Sequence, residues 1–361
     1  MAGLCPRLVA APGAAGRGSV ARRRGRPGPG AAGAMIRCLT SIEHWAMTEP
    51  FEIAREVITD LPVLMLSLSD GRGHTGRSEA AGVDYDGETP QGMALQIAAV
   101  LDRLHDDVDG RDLMALLPAG GARNALDCAL WDLRAKQSGI PAWRQAGMDR
   151  LEPVTTVFTI GLGDEATTRR KLRDARRYPL LKLKVDALRH LDIVRMVREE
   201  HPMARVVVDA NQSWTRQLLQ ALLPALVGLG VELVEQPLPR GQDAQLDGLH
   251  SLIPLAADES CTDSSSLAAL AGRYQYITIK LDKCGGLTEA LAMADAAQRL
   301  GLGLMVGNMC GTSLAMAPAF LLAQRCRYVD LDGPLLQLLD RATPLQYHDG
   351  VVEPPDPALW G

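Results

Sequence analysis

Between residues 154 and 333 the chain repeats one pattern eight times: a short apolar run, then a longer stretch with helical spacing. The runs cover residues 154–160, 180–185, 205–210, 231–236, 255–260, 276–281, 303–308 and 328–333, and their starts lie 21 to 27 residues apart. Each interval holds one strand, one helix and two short loops. Strands that alternate with helices pair in parallel, because the chain must cross back over the sheet each time. Eight such units close into a barrel. The competing arrangement, an open doubly wound sheet, carries Gly-x-Gly-x-x-Gly after its first strand. Here Gly161-Leu162-Gly163 lacks the third glycine. The expected class is α/β, with a barrel over residues 151–335.

Residues 35–150 read differently. From Pro62 to Asp70 apolar and polar positions alternate as in a strand, ending at the Asp70-Gly71 turn. Helical spacing follows over 91–104 and 122–137, where Leu126, Ala129, Leu130 and Leu133 share a face. These signals predict an α+β unit. Residues 1–34 hold six arginines, no acidic residue, and mostly Ala, Gly and Pro. Such a segment buries too little apolar surface to offset its ordering entropy, so it is expected to be a disordered tail. It is arginine-rich like a transit peptide, but Ser19 is its one hydroxyl residue; a start codon upstream of the working Met35 is the preferred explanation. Removing its six positive charges moves the formal net charge from −5 to −11, which disfavours nucleic acid as a partner. The longest apolar run, 218–233, is cut by Pro224 and carries Gln220 and Glu232, so no membrane span is expected. Seven scattered cysteines without a Cys-x-x-Cys pair fit a reducing cytoplasm and neither a disulfide framework nor a zinc site.

Active sites of such barrels form at the C-terminal ends of the strands. Here the second run ends in Lys182-Leu-Lys184, the third in Asp209-Ala-Asn211, the fourth in Glu235-Gln-Pro237, the fifth in Asp258-Glu-Ser260, the sixth in Lys280 and the eighth in Asp330-Leu-Asp332. Asp209, Glu235 and Asp258 would converge at the barrel mouth. Three carboxylates so close raise one another's pKa unless a cation joins them, and an all-oxygen set suits magnesium. Lys184 and Lys280 come from opposite sides of the ring. A substrate between them would expose one face of its α-carbon to each, as inversion by a base and an acid requires. Lys182 is close enough to lower its neighbour's pKa and to stabilise an enediolate.

Those motifs, with Ile279-Lys280-Leu-Asp-Lys283, resemble the enolase superfamily in its muconate-lactonising subgroup, over residues 43–353. The resemblance implies a modified TIM barrel of (β/α)7β type, an N-terminal α+β capping domain (35–150), and a C-terminal segment (336–361) returning to the cap. It implies magnesium on Asp209, Glu235 and Asp258, and enolate chemistry at Lys184 and Lys280. Lys283 would leave the strand and is given a structural role. The seventh run ends in Gly307-Asn308-Met309, without the histidine of mandelate-racemase-like members. Asp330-Leu-Asp332 resembles the Asp-x-Asp motif by which dipeptide epimerases hold the substrate's α-ammonium; on a regular strand both carboxylates would point the same way. Thr159 matches a family position near the substrate. One departure is Gly311, where dipeptide epimerases commonly carry glutamate.

The expected function is a cytoplasmic, homo-oligomeric epimerase acting on a small-molecule dipeptide through two lysines. The alternatives are a cycloisomerase, or an o-succinylbenzoate synthase or N-acylamino acid racemase, whose substrates lack a free ammonium group, and a non-catalytic binding descendant. The family also implies two cap loops that select the substrate side chain, here 50–57 and 81–89. The first places Glu56 at the selecting position and the second adds Asp84, Asp86 and Glu88. Carboxylates there predict a preference for a neutral or cationic second residue over Ala-Glu.

Overall fold

The computed structural model describes residues 36–53 and 57–361. The arginine-rich tail and Glu56 therefore lie outside the described residues. Strands β1 (Arg37–Glu52), β2 (Val57–Ser69) and β3 (Thr75–Ala80) form an antiparallel sheet in that order. The alternation read from Pro62 onward is the C-terminal part of β2, where Leu64, Leu66 and Leu68 are fully buried. Strand β1 has no sequence signal because it is an edge, paired on one side and largely exposed, so its polar residues need not alternate.

Four helices follow: α1 (Pro90–Ala98), α2 (Gly110–Leu116), α3 (Gly121–Ser138) and α4 (Ala142–Gln145). The helix expected over 91–104 stops at Ala98, and Leu101–Arg103 is a 3-10 turn. Leu104 is extended, and its carbonyl accepts from Ile36 N at the start of the sheet. Helix α3 is buried on most of its faces, sandwiched between this sheet and the barrel. Gly76 makes that approach feasible: a Cβ there would lie 2.1 Å from Ala129 O.

The chain then runs through β4 (Val154–Thr155), β5 (Phe158–Ile160), α5 (Glu165–Asp174), β6 (Leu180–Lys184), α6 (Leu191–Glu200), β7 (Arg205–Asp209), α7 (Arg216–Gly228) and β8 (Val231–Glu235). It continues through β9 (Leu255–Ala257), α8 (Leu267–Leu270), β10 (Tyr276–Ile279), α9 (Leu281–Cys284), α10 (Leu287–Arg299), β11 (Gly303–Val306), α11 (Ser313–Ala323) and β12 (Tyr328–Val329). Strands β5 to β12 form one eight-stranded parallel sheet in chain order. Its two edges meet where Val157 N donates to Val329 O at 2.8 Å. No α-helix separates β8 from β9; Pro237, Pro239, Gly241 and Gly248 interrupt that stretch.

After β12 the chain forms the hairpin β13 (Tyr347–His348) and β14 (Val351–Val352), which pairs with β4. The last residues reach α3, where Trp360 Nε1 donates to Cys128 O at 3.0 Å and Gly361 N to Asp132 at 2.8 Å. Among the described residues no helix is long and apolar enough to cross a membrane, and the six described cysteines are unbonded.

Candidate active site

The barrel interior is built in layers. Val157, Leu180, Val207, Leu233, Ala256, Tyr276, Met305 and Tyr328, one residue from each strand or its edge, form an apolar plug. Successive side chains on a strand alternate sides, so the next inward layer lies two residues further on. That layer reads Thr159, Lys182, Asp209, Glu235, Asp258, Thr278, Gly307 and Asp330. Every position above the plug is polar or lacks a side chain. Register aligns neighbours within the layer, since Thr159 pairs with Lys182 and Asp209 with Glu235 across adjacent strands.

Asp209, Glu235 and Asp258 are buried, and one oxygen from each lies within 4.8 Å of the others. Lysines surround them. Lys182 Nζ stands 2.8 Å from Glu235, 3.1 Å from Asp209 and 2.8 Å from Asp330. Lys184 Nζ is 2.7 Å from Asp209, Lys280 Nζ 2.8 Å from Asp258, and Lys283 Nζ 2.6 Å from Asp258. Burial works against these charges, yet the ion pairs dominate at two of the three carboxylates. Asp209 is lowered to about 2 by Lys184 and Lys182 despite burial, and Asp258 is held well below the usual range by Lys280, Lys283 and Lys182. Glu235, where burial and the charges of Asp209 and Asp258 prevail over Lys182, is raised to about 7. Burial lowers Lys182 and Lys280 less than the neighbouring carboxylates raise them, and both stand above their ordinary value.

Lys184 and Lys280 both line a cavity of about 380 Å³ over the mouth, with Asn211, Glu259 and Asn308 from the barrel and Phe51, Ile58 and Tyr85 from the cap. Lys182 is buried beneath it. Gly307 clears the path of Lys280, because a Cβ there would sit 3.0 Å from Lys280 Cε. Backbone strain collects here too. Asn211, Gln212 and Gln236 have φ of 41°, 68° and 31°, at about 1–3 kcal/mol each.

Strand β12 ends at Val329 and Asp332 opens a 3-10 turn, yet the Asp332 carboxyl still lies within side-chain hydrogen-bonding reach of Asp330. Asp330 binds Lys182 and accepts from Asn308 Nδ2 at 2.9 Å. Asp332 accepts from the Thr159 backbone N at 2.6 Å, and burial with the charge of Asp330 raises it to about 7. Both carboxylates stand behind the cavity-lining Asn308 and Cys310. Gly311 has φ of 131°, and a Cβ there would lie 3.0 Å from Glu79 Oε1. The carboxylate absent from position 311 thus has a neighbour in Glu79, which accepts from Thr312 N at 2.8 Å and pairs with Arg341 at 2.5 Å.

The loop carboxylates are not equivalent. Asp86 is held by both Nη atoms of Arg240, at 2.5 and 2.9 Å. Glu88 accepts from Val83 N at 2.8 Å and Gly121 N at 3.0 Å. Asp84 lines the cavity, and among the described residues no side chain clamps its carboxylate. Gln236 and Glu259 lie inside the strand-end motifs, and Tyr85 in the second cap loop, but none of the three has a role legible from sequence, and Lys283, expected to be structural, pairs with Asp258. The acidic strand ends flanking Gln236 and Glu259 were the available signal.

Residues 35–147 match the mandelate racemase / muconate lactonizing enzyme N-terminal domain, and residues 164–358 the enolase C-terminal domain-like family. The chain is similar to the N-acetyl-D-glutamate racemase of Pseudoalteromonas sp, with 44% identity over 69% of this chain and 79% of that protein. It is 39% identical to the L-Ala-D/L-Glu epimerase of Escherichia coli (strain K12), over 85% of this chain and 96% of that one. Among solved structures, an Agrobacterium tumefaciens enolase family member with homology to dipeptide epimerases, with bound sodium and L-Ala-L-Glu, superposes with a TM-score of 0.88. It is 40% identical, over 90% of this chain and 100% of that one. The dipeptide epimerase of Methylococcus capsulatus, complexed with Mg and L-Arg-D-Lys, gives a TM-score of 0.83 at 31% identity, over 91% and 99%.

Proposed function

This chain belongs to the enolase-like family of mandelate racemases and muconate lactonizing enzymes, and from that premise we propose that it is a magnesium-dependent dipeptide epimerase inverting the α-carbon of the second residue. The observation that carries the reading is the cavity that Lys184 and Lys280 share, over three carboxylate oxygens within 4.8 Å of one another. The donor set fits the metal, being all oxygen, buried and mutually repulsive. Asp209, Glu235 and Asp258 would hold it. Magnesium held there would supply positive charge against the negative charge that develops on the substrate carboxylate.

Lys184 and Lys280 act on opposite faces of the α-carbon, one removing the proton and the other returning one. Lys182, locked among Asp209, Glu235 and Asp330, contributes fixed positive charge below the reacting carboxylate. Asp330 and Asp332 are assigned to the substrate's ammonium group, through the wall formed by Asn308, and Thr159 holds Asp332 in place. Two acidic groups there favour a free amine over the substrates of cycloisomerases and succinylbenzoate synthases. The unpaired cysteines support a cytoplasmic setting.

For the side chain, the clamps on Asp86 and Glu88 remove most of the repulsion that the loop sequence implies. Two relatives named for glutamate substrates share 39% and 44% identity with this chain. L-Ala-L-Glu is therefore the first substrate to test, and N-acetylglutamate, named for the 44% relative, is the second reading. Incubation with magnesium in deuterated water of L-Ala-L-Glu, L-Ala-L-Leu, L-Ala-L-Lys and N-acetyl-L-Glu, read by mass spectrometry, decides between them. Deuterium uptake at one α-carbon of L-Ala-L-Glu is expected. Uptake confined to N-acetylglutamate would transfer the assignment, and uptake by none of the four would overturn it.

A further inference from the structure

We propose that Gln236 is a positioning residue for the cation site, setting where Asp258 stands relative to Glu235; the inference rests on the magnesium reading above. Gln236 follows Glu235 directly, is fully buried, and has φ of 31°, a conformation that residues with a Cβ adopt rarely. Its own N donates to Ala256 O at 2.8 Å. Its side chain reaches across to the neighbouring strand end, where Oε1 accepts from Asp258 N at 2.9 Å and Ser260 N at 3.1 Å.

Strand β9 stops at Ala257, so the backbone carrying Asp258 is past the end of its ladder. The glutamine amide takes the place of the missing strand neighbour. Its orientation is set from the other side. Nε2 faces Leu238 O at 2.8 Å, Ser260 Oγ at 3.1 Å and Tyr274 OH at 3.3 Å. The Ser260 and Tyr274 hydroxyls both donate to Asp243 Oδ1, at 2.7 and 2.6 Å. Their protons are committed to Asp243, so they can only accept from Gln236, and Oε1 must then face the two amides. One side chain thus ties two carboxylates on adjacent strands into a single unit through a polar network.

Groups that orient metal ligands in this way typically change affinity 10- to 100-fold when lost. Calorimetric titration of magnesium chloride into the full chain tests this, with circular dichroism confirming that each variant folds. Gln236→Leu removes the acceptor, and Gln236→Asn keeps the amide but shortens its reach by one methylene. Both are expected to bind magnesium at least ten-fold more weakly. Tyr274→Phe, which leaves Oε1 on the amides, is expected to stay within about three-fold of the wild type. Equal magnesium affinity in the wild type and Gln236→Asn, with lowered thermal stability in the variant, would reduce Gln236 to a core residue and overturn the inference alone. Wild-type protein that takes up no magnesium would overturn the cation reading and this inference with it.

Discussion

Lys184 and Lys280 are each held by a different carboxylate, Asp209 and Asp258 respectively, on separate strands of the barrel. Neither lysine depends on the other for its position, so removing one leaves its partner in place. Lys184→Ala and Lys280→Ala should each lower epimerisation by about 10²- to 10⁴-fold, the usual worth of a positioned acid or base, with near-native circular dichroism. Full turnover by either single variant would remove the two-base mechanism. At this scale a residue was legible when its chemistry clashed with its surroundings. Asp209, Glu235, Asp258 and Lys182 stand out as charges ending apolar runs. Gln236 does not, because an amide after an acidic residue is unremarkable until its hydrogen bonds are seen. Lys283, read as structural because it leaves the strand, pairs with Asp258 because the chain turns into α9 after Lys280 and brings it back.

The elements that place the site are joined by buried acidic groups. Asp282 on α9 accepts from Gly82 N of the second cap loop at 2.9 Å. Burial, with a contribution from Glu88 and against the hydrogen bonds from Gly82 and Asn124, raises its pKa to about 7. An unfolded aspartate loses its proton near 4, so the folded protein holds a proton across that window that the unfolded chain has released. Stability must fall as pH rises from about 4 to about 7 and level off above, by up to roughly 4 kcal/mol from this group. Asp127, raised to about 6 chiefly by burial, acts in the same direction. Asp282→Asn keeps an acceptor for Gly82 and removes its share of the slope. Its Tm should rise relative to the wild type between pH 4 and pH 8, and a constant offset across that range would refute the assignment. The barrel strands were legible because both their faces are buried, which forces apolar runs. Strand β1 and the early end of α1 were not, since exposed edges and helix ends are decided by what docks on them.

Across the whole molecule the cap and barrel are stitched through Glu79, where strand β3 meets Thr312 and Arg341, while Arg341 also pairs with Glu43 at 2.6 Å. Residues 1–34 carry arginines but no apolar periodicity and no acidic residue. A chain starting at Met35 should therefore match the full chain in kcat/KM and in Tm; a clear fall in Tm on truncation would show that the tail packs on the body. Sequence alone determined the repeat, and with it the ring and its polar upper layer, because strand alternation is a local rule and a charge at the end of an apolar run is visible without coordinates. Tertiary structure alone decided which charges are in use. Asp86 and Glu88 were equivalent in sequence to Asp84, but Arg240, which holds Asp86, and the Gly121 amide, which joins the local Val83 amide on Glu88, come from distant segments. Asp332 is likewise held by the Thr159 amide from the far end of the barrel sequence, at 2.6 Å. Partners far apart along the chain set a side chain's charge state and direction, and no local pattern encodes them.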